Sequence, residues 1–247
     1  MHYAGMHGGP VLSVQGVSKR YGRLEAVKGV DFEVASGEIF ALIGPNGAGK
    51  TTILRIVGTI LRASRGSVTV EGIDTSTHPE EVRERISYLP EEAGAYKSIS
   101  GEAYLRFFAR LYYANSADQQ AAVARGREIC GLGERLKDKA GSYSKGMTRK
   151  LLLARTLMCE PRLAILDEPT SGLDVLNAME VRDTIKQHAA QGTAVLLSSH
   201  NMLEIEYLSD RVALLHEGRI RETGTPKELR ERYEAPNLED VFAEVVR

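Results

Sequence analysis

The stretch Ile39–Thr52, IFALIGPNGAGKTT, places a glycine-rich loop between an apolar run and the start of a helix. The GxxxxGK[ST] pattern in that setting is typical of a loop that binds phosphates. Glycines at positions 44, 47 and 49 allow a tight turn in which successive N–H groups point at a phosphate chain. The helix that begins near Lys50 adds its partially positive N-terminus. The sequence therefore predicts a site for a nucleoside triphosphate.

Individual side chains of this loop have distinct predicted roles. The ammonium of Lys50 can reach the β- and γ-phosphates, and the hydroxyl of Thr51 can ligate Mg²⁺. A glycine-rich turn that merely caps a helix is the structural alternative, and the flanking strand and helix argue against it. The residues predicted to contact the nucleotide here are Gly44, Pro45, Asn46, Gly47, Ala48, Gly49, Lys50, Thr51 and Thr52.

The overall composition limits the classes of protein to which the chain can belong. Its 247 residues are 43% hydrophobic with a formal net charge of −1, which suits one large α/β domain or a core with an inserted subdomain. The balanced charge argues against a protein that mainly binds nucleic acid non-specifically. Cys130 and Cys159 lack metal-ligand or redox spacing, so we expect reduced, buried thiols in a cytosolic protein.

The apolar stretches of the chain are all short. No run of about eighteen apolar residues occurs, so no membrane span is expected. Residues 1–10 are rich in glycine and histidine and too polar for a signal peptide, and we expect a flexible N-terminal arm there.

Strand and helix patterns alternate along much of the chain, and the inner strands are continuously apolar, which predicts a mostly parallel sheet covered on both faces. Early strands separated by short polar turns predict an antiparallel β piece beside it. The predicted strands are Val11–Val14, Asp31–Val34, Ile39–Ile43, Val68–Val70, Ile86–Leu89, Ala164–Leu166, Ala194–Leu197, Val212–Leu215 and Arg219–Arg221. The predicted helices are Lys50–Leu61, Glu102–Tyr113, Ala117–Cys130, Met147–Met158, Val175–Ala190 and Met202–Leu208.

These patterns predict an α/β fold with a P-loop NTPase core built on a mostly parallel sheet, an antiparallel β subdomain and an inserted α-helical subdomain. Strand signals are absent between about Glu91 and Glu160. We therefore expect the core in two pieces, 11–90 and 161–225, with the helical insertion at 91–160 and a charged C-terminal tail at 226–247.

A second strong motif is the apolar run Leu163–Leu166, which ends in the carboxylates of Asp167 and Glu168. Ligands bind outside the carboxyl ends of parallel strands, so both side chains should face the nucleotide. Asp167 can hold Mg²⁺ and Glu168 can act as the general base toward the attacking water. The alternative is that both residues simply cap the next helix.

Four further features are weak when taken singly. Tyr143–Met147, YSKGM, precedes a helix and resembles an ordinary serine N-cap. The turn Leu173-Asp174 presents a carboxylate at a surface. A histidine at a strand end, here His200, is more often structural than functional, and Tyr21 could be a packed aromatic.

Together and in this order, the motifs resemble those of the nucleotide-binding domain of an ATP-binding cassette (ABC) transporter, from about Val11 onward. The resemblance implies that Ser144, Lys145 and Gly146 occupy the signature motif, usually Leu-Ser-Gly-Gly-Gln. It further implies that Asp174 belongs to the D-loop, that His200 is the switch histidine acting with Glu168, and that Tyr21 stacks on adenine. ATP and Mg²⁺ are the implied cofactors.

The chain departs from the family pattern at two places. Lys145 replaces a glycine of the signature, whereas Ser144 and Gly146 keep the family types and can grip a γ-phosphate supplied by a facing subunit. Glu91, in Tyr88-Leu89-Pro90-Glu91-Glu92, stands where the family usually has glutamine. Its carboxylate can still offer oxygen to Mg²⁺.

The resemblance implies an ATP-hydrolysing subunit that powers a separate integral membrane permease from the cytoplasmic face of the membrane. The active form would be a head-to-tail dimer with a second copy or a related cassette, with ATP sandwiched between them. A weaker resemblance points to bacterial exporters of the drug, polysaccharide and sodium-extrusion type. Permease contacts are expected among aromatics that could equally pack the helical core: Tyr96, Phe107, Phe108, Tyr112 and Tyr113.

Two other functions remain open at this point. A soluble cassette ATPase acting on nucleic acid or ribosomes would usually carry two cassettes, long coiled coils or a basic face, none of which this sequence shows. A small-molecule phosphate-loop kinase would leave the signature, the D-loop and His200 without a role. We therefore expect no nucleic-acid partner.

Overall fold

The computed structural model describes residues 9–247, so the arm predicted at 1–10 lies almost entirely outside the described residues. A six-stranded sheet forms the centre of the molecule, with strand order β10-β9-β3-β8-β7-β6. All of its neighbouring pairs are parallel except β9 with β10. Its strands are β3 (Ile39–Ile43), β6 (Ile86–Leu89), β7 (Leu163–Asp167), β8 (Ala194–Ser199), β9 (Arg211–His216) and β10 (Arg219–Gly224).

The register of this sheet decides where the functional residues meet. Every residue of β3, β7 and β8 is buried, because helices or the second sheet cover both faces. Ile43 pairs with Ser199, and Asp167 pairs with Ser198. The loop after Ile43, the carboxylates after Leu166 and the segment after Ser199 therefore leave the sheet along one edge.

The second sheet is antiparallel, with strand order β2-β1-β4-β5, as predicted for the early strands. Its strands are β1 (Leu12–Tyr21), β2 (Leu24–Val34), β4 (Arg65–Val70) and β5 (Ile73–Asp74). They are longer than the apolar runs Val11–Val14 and Asp31–Val34, because register shifts between Val14 and Val17 interrupt the alternation on which the prediction relied. Phe32 stacks on Phe40 at 5.1 Å and joins the two sheets.

The helices between the two halves of the core pack on one another. They are α3 (Gly101–Tyr112), α4 (Ser116–Cys130) and α5 (Lys145–Leu157), with short 3₁₀ turns at Gly133–Lys137 and Ala140–Ser142. A Cβ on Gly126 would lie 3.2 Å from Leu105 and 3.3 Å from the Met158 sulfur, so the glycine lets α4 approach its neighbours closely. All three helices were predicted, and the mixed α/β fold with a helical subdomain is confirmed.

The remaining helices cover the core. They are α1 (Lys50–Val57), α2 (Pro79–Arg83), α6 (Val175–Ala190), α7 (Met202–Leu208), α8 (Pro226–Arg232) and α9 (Leu238–Val245). The predicted helix Lys50–Leu61 is too long, because the chain leaves the helix at Gly58 and Thr59 then adopts a φ of 58°. The segment predicted as a charged tail contains α8 and α9, which bury Leu229, Leu238 and Val241 completely.

Both cysteines are free thiols, as predicted, but only Cys130 is buried, whereas Cys159 is partly exposed. Burial raises the pKa of Cys130 and raises that of Cys159 to about 11, so neither is readily ionised. Across residues 9–247, none of the helices combines the length and the apolar character needed to cross a membrane.

Candidate functional site

The glycine-rich loop runs from the end of β3 to the first turn of α1. A Cβ on Gly44 would overlap the carbonyl oxygen of Leu215, so only glycine allows the loop to pass so close to β9. Gly47 and Gly49 have φ values of 80° and 110°, which other residues rarely adopt. Each glycine of the predicted phosphate loop thus meets a backbone requirement, and the loop ends at the N-terminus of a helix that can attract an anion.

Lys50 is buried beneath this loop, with 6% of its surface exposed. Its Nζ donates hydrogen bonds to the carbonyl oxygens of Gly44 at 2.6 Å and Pro45 at 3.3 Å, and lies 3.8 Å from Oε1 of Glu168. Burial lowers the pKa of Lys50, against the attraction of Glu168, Asp167 and Glu91, which raises it. The ammonium therefore already binds oxygen atoms of the loop, and phosphate oxygens can take the place of these carbonyl oxygens.

Asp167 is 1% exposed and accepts three hydroxyl hydrogen bonds. Its Oδ1 accepts from Ser198 at 2.6 Å and Thr51 at 3.3 Å, and its Oδ2 accepts from Tyr88 at 3.3 Å. Burial, followed by the charge of Asp167, raises the pKa of Tyr88 to about 12, so the phenol stays a donor. Thr51 and Asp167 thus lie side by side, and their oxygens are the hard ligands that Mg²⁺ prefers.

Tyr88 and Ser198 were missing from the sequence-based site. Each lies on a strand whose identity was clear, but their role depends on the pairing of β6, β7 and β8, which brings their hydroxyls to Asp167. Ser198 also accepts a hydrogen bond from the backbone N–H of Glu168 at 3.2 Å. One serine therefore links the two acidic residues, and register alone reveals it.

Glu168 and His200 meet at the same sheet edge. The carboxylate of Glu168 is buried, and its Oε2 lies 2.9 Å from Nδ1 of His200, whose side chain is 55% exposed. The backbone of Glu168 has a φ of 48°, an uncommon conformation for a residue with a side chain. The geometry fits a base that is held from one side by Lys50 and from the other by His200.

The residues predicted to form the signature, Ser144, Lys145 and Gly146, make their contacts away from the phosphate loop. Ser144 caps α5 by accepting from the N–H of Met147 at 3.2 Å. A Cβ on Gly146 would overlap the Asn177 side chain, and Lys145 Nζ lies directly against Gly172. Asn177 in turn donates to Asp174 at 2.6 Å, and its hydrogen bonds lower the pKa of Asp174. Within residues 9–247, no hydrogen bond or ion pair joins Ser144, Lys145 or Gly146 to the phosphate loop.

Tyr21 and Glu91, two further predicted site residues, both have exposed side chains. Tyr21 ends β1 with 45% of its surface exposed, and Lys19 Nζ lies 5.3 Å from its ring centroid, so the ring has a face free for stacking. The Glu91 side chain is exposed, while its carbonyl accepts from Arg149 at 3.1 Å. Arg149 lies on α5, is 6% exposed and holds the loop through this hydrogen bond. It was not among the predicted site residues. The roles of Tyr21 and Glu91 stay predictions.

The aromatic residues considered as permease contacts divide into two groups. Phe108 and Tyr113 pack partly against the core, whereas Tyr96, Phe107 and Tyr112 are 53%, 44% and 48% exposed. Tyr96 and Phe107 meet edge to face at 5.9 Å. An exposed aromatic patch of Tyr96 and Phe107 therefore lies on the helical subdomain, and Tyr112 is exposed at the end of α3.

Comparison with known proteins gives consistent results. The family model described as ABC transporter matches residues 27–171. The chain is 34% identical to the ABC transporter ATP-binding protein NatA of Bacillus subtilis over 89% of both chains. It is 33% identical to the linearmycin resistance ATP-binding protein LnrL of the same organism, covering 89% of this chain and 70% of the relative.

A fluoroquinolones export ATP-binding protein of Mycobacterium tuberculosis is 39% identical over 90% of this chain and 73% of its own length. Among solved structures, an ATP-binding subunit of an ABC transporter superposes with a TM-score of 0.86 at 30% identity, covering 96% of this chain and all of the other. A dimeric cassette bound to ADP and phosphate, at 21% identity and a TM-score of 0.77, shares the fold.

Proposed function

Because this chain belongs to the ABC transporter family of ATP-binding proteins, we propose that it hydrolyses ATP to power a separate integral membrane permease. The observation that carries the proposal is the convergence of Lys50, Asp167, Glu168 and His200 at the carboxyl edge of one sheet. Ligands of parallel α/β sheets bind at this edge.

Hydrolysis follows from the roles that these side chains can take. The phosphate loop and Lys50 bind the β- and γ-phosphates, and Glu168 accepts a proton from the water that attacks the γ-phosphorus. The bond to the bridging oxygen breaks, ADP leaves, and the proton passes to phosphate. His200 holds the Glu168 carboxylate and can donate to the γ-phosphate. Thr51 and Asp167, with Glu91 nearby, would hold Mg²⁺, which neutralises phosphate charge.

The site is complete only with a second cassette. Ser144 and the N–H groups at the start of α5 form a donor set with no contact to the phosphate loop of their own protomer. In a two-fold dimer each protomer's signature can face the other's loop, because such an interface is reciprocal. We assign Ser144, Lys145 and Gly146 to the γ-phosphate held by the other protomer, Asp174 to the D-loop of the cassette, and Tyr21 to the adenine of its own ATP.

The permease would meet the exposed aromatic patch of the helical subdomain at the cytoplasmic face of the membrane. Exposed aromatic residues are enriched at protein–protein interfaces. Relatives named for linearmycin resistance and fluoroquinolones export favour export as the direction of transport. The partner cassette is either a second copy or a related chain.

Affinity purification from membranes of the native host tests the transport role. We expect the tagged chain to capture a polytopic membrane protein, and Phe107→Ala to weaken capture without lowering basal ATP hydrolysis. Tyr207→Ala is the matched control, since Tyr207 is 78% exposed but lies on α7. Capture of ribosomes or nucleic acid, with no membrane protein, would contradict the proposal.

Glu91→Gln tests the unusual residue at the family's glutamine position. Burial lowers the pKa of Lys50, but the Glu91 charge acts to raise it, so we propose that this charge also acts on phosphates bound by Lys50. Removing a like charge near the phosphates should raise the affinity for Mg²⁺-free ATP roughly threefold to tenfold and flatten the Mg²⁺ dependence of turnover. Nucleotide binding measured with Mg²⁺ and with EDTA provides the comparison, with Glu92→Gln as control. An unchanged Mg²⁺ titration would show that Glu91 has no role at the metal.

A further inference from the structure

The segment that follows Glu168 is held in an uncommon conformation. Glu168 has a φ of 48°, and such a backbone persists in a residue with a side chain only where its surroundings hold it. Its N–H donates to the Ser198 carbonyl at 3.2 Å, and its own carbonyl accepts from the N–H of Ser171 at 3.2 Å. A third bond, from the N–H of Leu173 to the carbonyl of Thr170 at 3.1 Å, continues the turn, but none of the three ties it to α7.

Glu204 supplies the missing contact from the neighbouring helix. It lies on α7, is 9% exposed, and its Oε2 accepts the hydroxyl hydrogen bond of Thr170 at 2.8 Å. Its Oε1 accepts from Arg182 of α6 at 3.2 Å, so the buried charge is paired. Its N–H donates to Asn201, the residue that caps α7, at 3.1 Å. Both oxygens and the backbone are therefore engaged.

These contacts complete a ring of residues that includes the proposed catalytic pair, Glu168 and His200. The ring runs along the chain from Glu168 to Thr170 and crosses the hydrogen bond to Glu204 on α7. From there it returns along the chain to His200, just before α7, which contacts Glu168 at 2.9 Å. A cavity of about 250 Å³ lies between the two segments, lined by Glu168, Thr170, His200 and Glu204. The Thr170–Glu204 and Glu168–His200 contacts therefore join the two segments across this cavity.

We propose that Glu204 is a positioning residue for ATP hydrolysis, acting through Thr170 to hold Glu168 in register with His200. The inference rests on the assignment of Glu168 as the general base. Glu204 touches no phosphate and makes no proton transfer; it restrains the turn that carries the base. Loss of this restraint allows Glu168 to leave its orientation toward water without altering the phosphate loop, and misplacement of a catalytic group lowers the rate of the chemical step.

Glu204→Met, which keeps the length of the side chain but removes the acceptor of the Thr170 hydrogen bond, and Thr170→Val test the proposal. Both should lower kcat by about tenfold or more, while the ATP dissociation constant stays within about twofold of wild type. Thr170→Ser keeps the donor and should recover most of the rate. Glu206→Met is the matched control: Glu206 lies on the same helix but binds Arg230 and the N–H of Leu238.

A double-mutant cycle separates positioning from stability. With His200→Ala in the background, Glu204→Met should lower kcat much less than in the wild type, because the ring is already open. The proposal is overturned if Glu204→Met and Thr170→Val lower kcat no more than Glu206→Met, or if both weaken ATP binding in step with kcat. Thermal unfolding of Thr170→Val, an isosteric change, checks that the fold persists. Failure of the proposed function is distinct: the wild type would hydrolyse no ATP, or Glu168→Gln would remain active.

Discussion

Glu168→Gln is expected to lower ATP turnover by roughly a thousandfold while ATP still binds. Glutamine has nearly the same shape but cannot accept a proton, and the carboxylate that it replaces is buried between Lys50 and His200. Phosphate release in single-turnover experiments measures the loss. Because hydrolysis would normally release the shared γ-phosphate, the variant should also accumulate as an ATP-bound dimer, visible by size-exclusion chromatography.

A control must separate the chemistry from the strained backbone at this position. Glu160 also has a positive φ, 51°, but lies at the opposite end of β7 and pairs with Arg125. Glu160→Gln should leave turnover unchanged. Wild-type rates in Glu168→Gln would remove the base assignment, and equal losses in both variants would attribute the effect to the backbone.

The parts of the site that the sequence predicted are those built by continuous segments. The phosphate loop needs glycines and a lysine at fixed spacing, and an apolar strand followed by Asp167 and Glu168 places two carboxylates at a sheet edge whatever its neighbours are. The structure puts Lys50 3.8 Å from Glu168, although 117 positions separate them in sequence, because β3 and β7 flank the same strand, β8.

The parts that were missed arise from pairing between distant elements. Tyr88, Ser198 and Glu204 carry ordinary side chains on ordinary strands or helices, and only the parallel register and the packing of α7 on the turn after Glu168 give them partners. For Lys145, the sequence showed that the residue is unusual but not what it contacts. Lysine stands where the family has glycine, but its contact with Gly172 depends on how α5 packs against the turn that precedes α6.

A mixing experiment tests whether two protomers share each ATP site. Lys50→Ala removes the charged contact to phosphate, and charge-assisted hydrogen bonds contribute about 1.5–3 kcal/mol, so ATP affinity should fall roughly tenfold to a hundredfold. Ser144→Asp keeps an N-cap acceptor for α5 but places a negative charge against the γ-phosphate of the other protomer. We expect each variant alone to lose nearly all turnover.

Mixing the two variants should restore activity, because the defects lie on opposite sides of a reciprocal interface. A heterodimer then contains one intact site, formed by the phosphate loop of the Ser144→Asp protomer and the signature of the Lys50→Ala protomer, and one doubly defective site. With equal amounts of both chains, about a quarter of all sites should be intact. Ser144→Thr keeps both the hydroxyl and the cap and should be active alone. If mixing restores nothing while both variants fold and associate, the two-protomer site is wrong. If Ser144→Asp alone hydrolyses ATP at the wild-type rate, the signature has no part in the reaction.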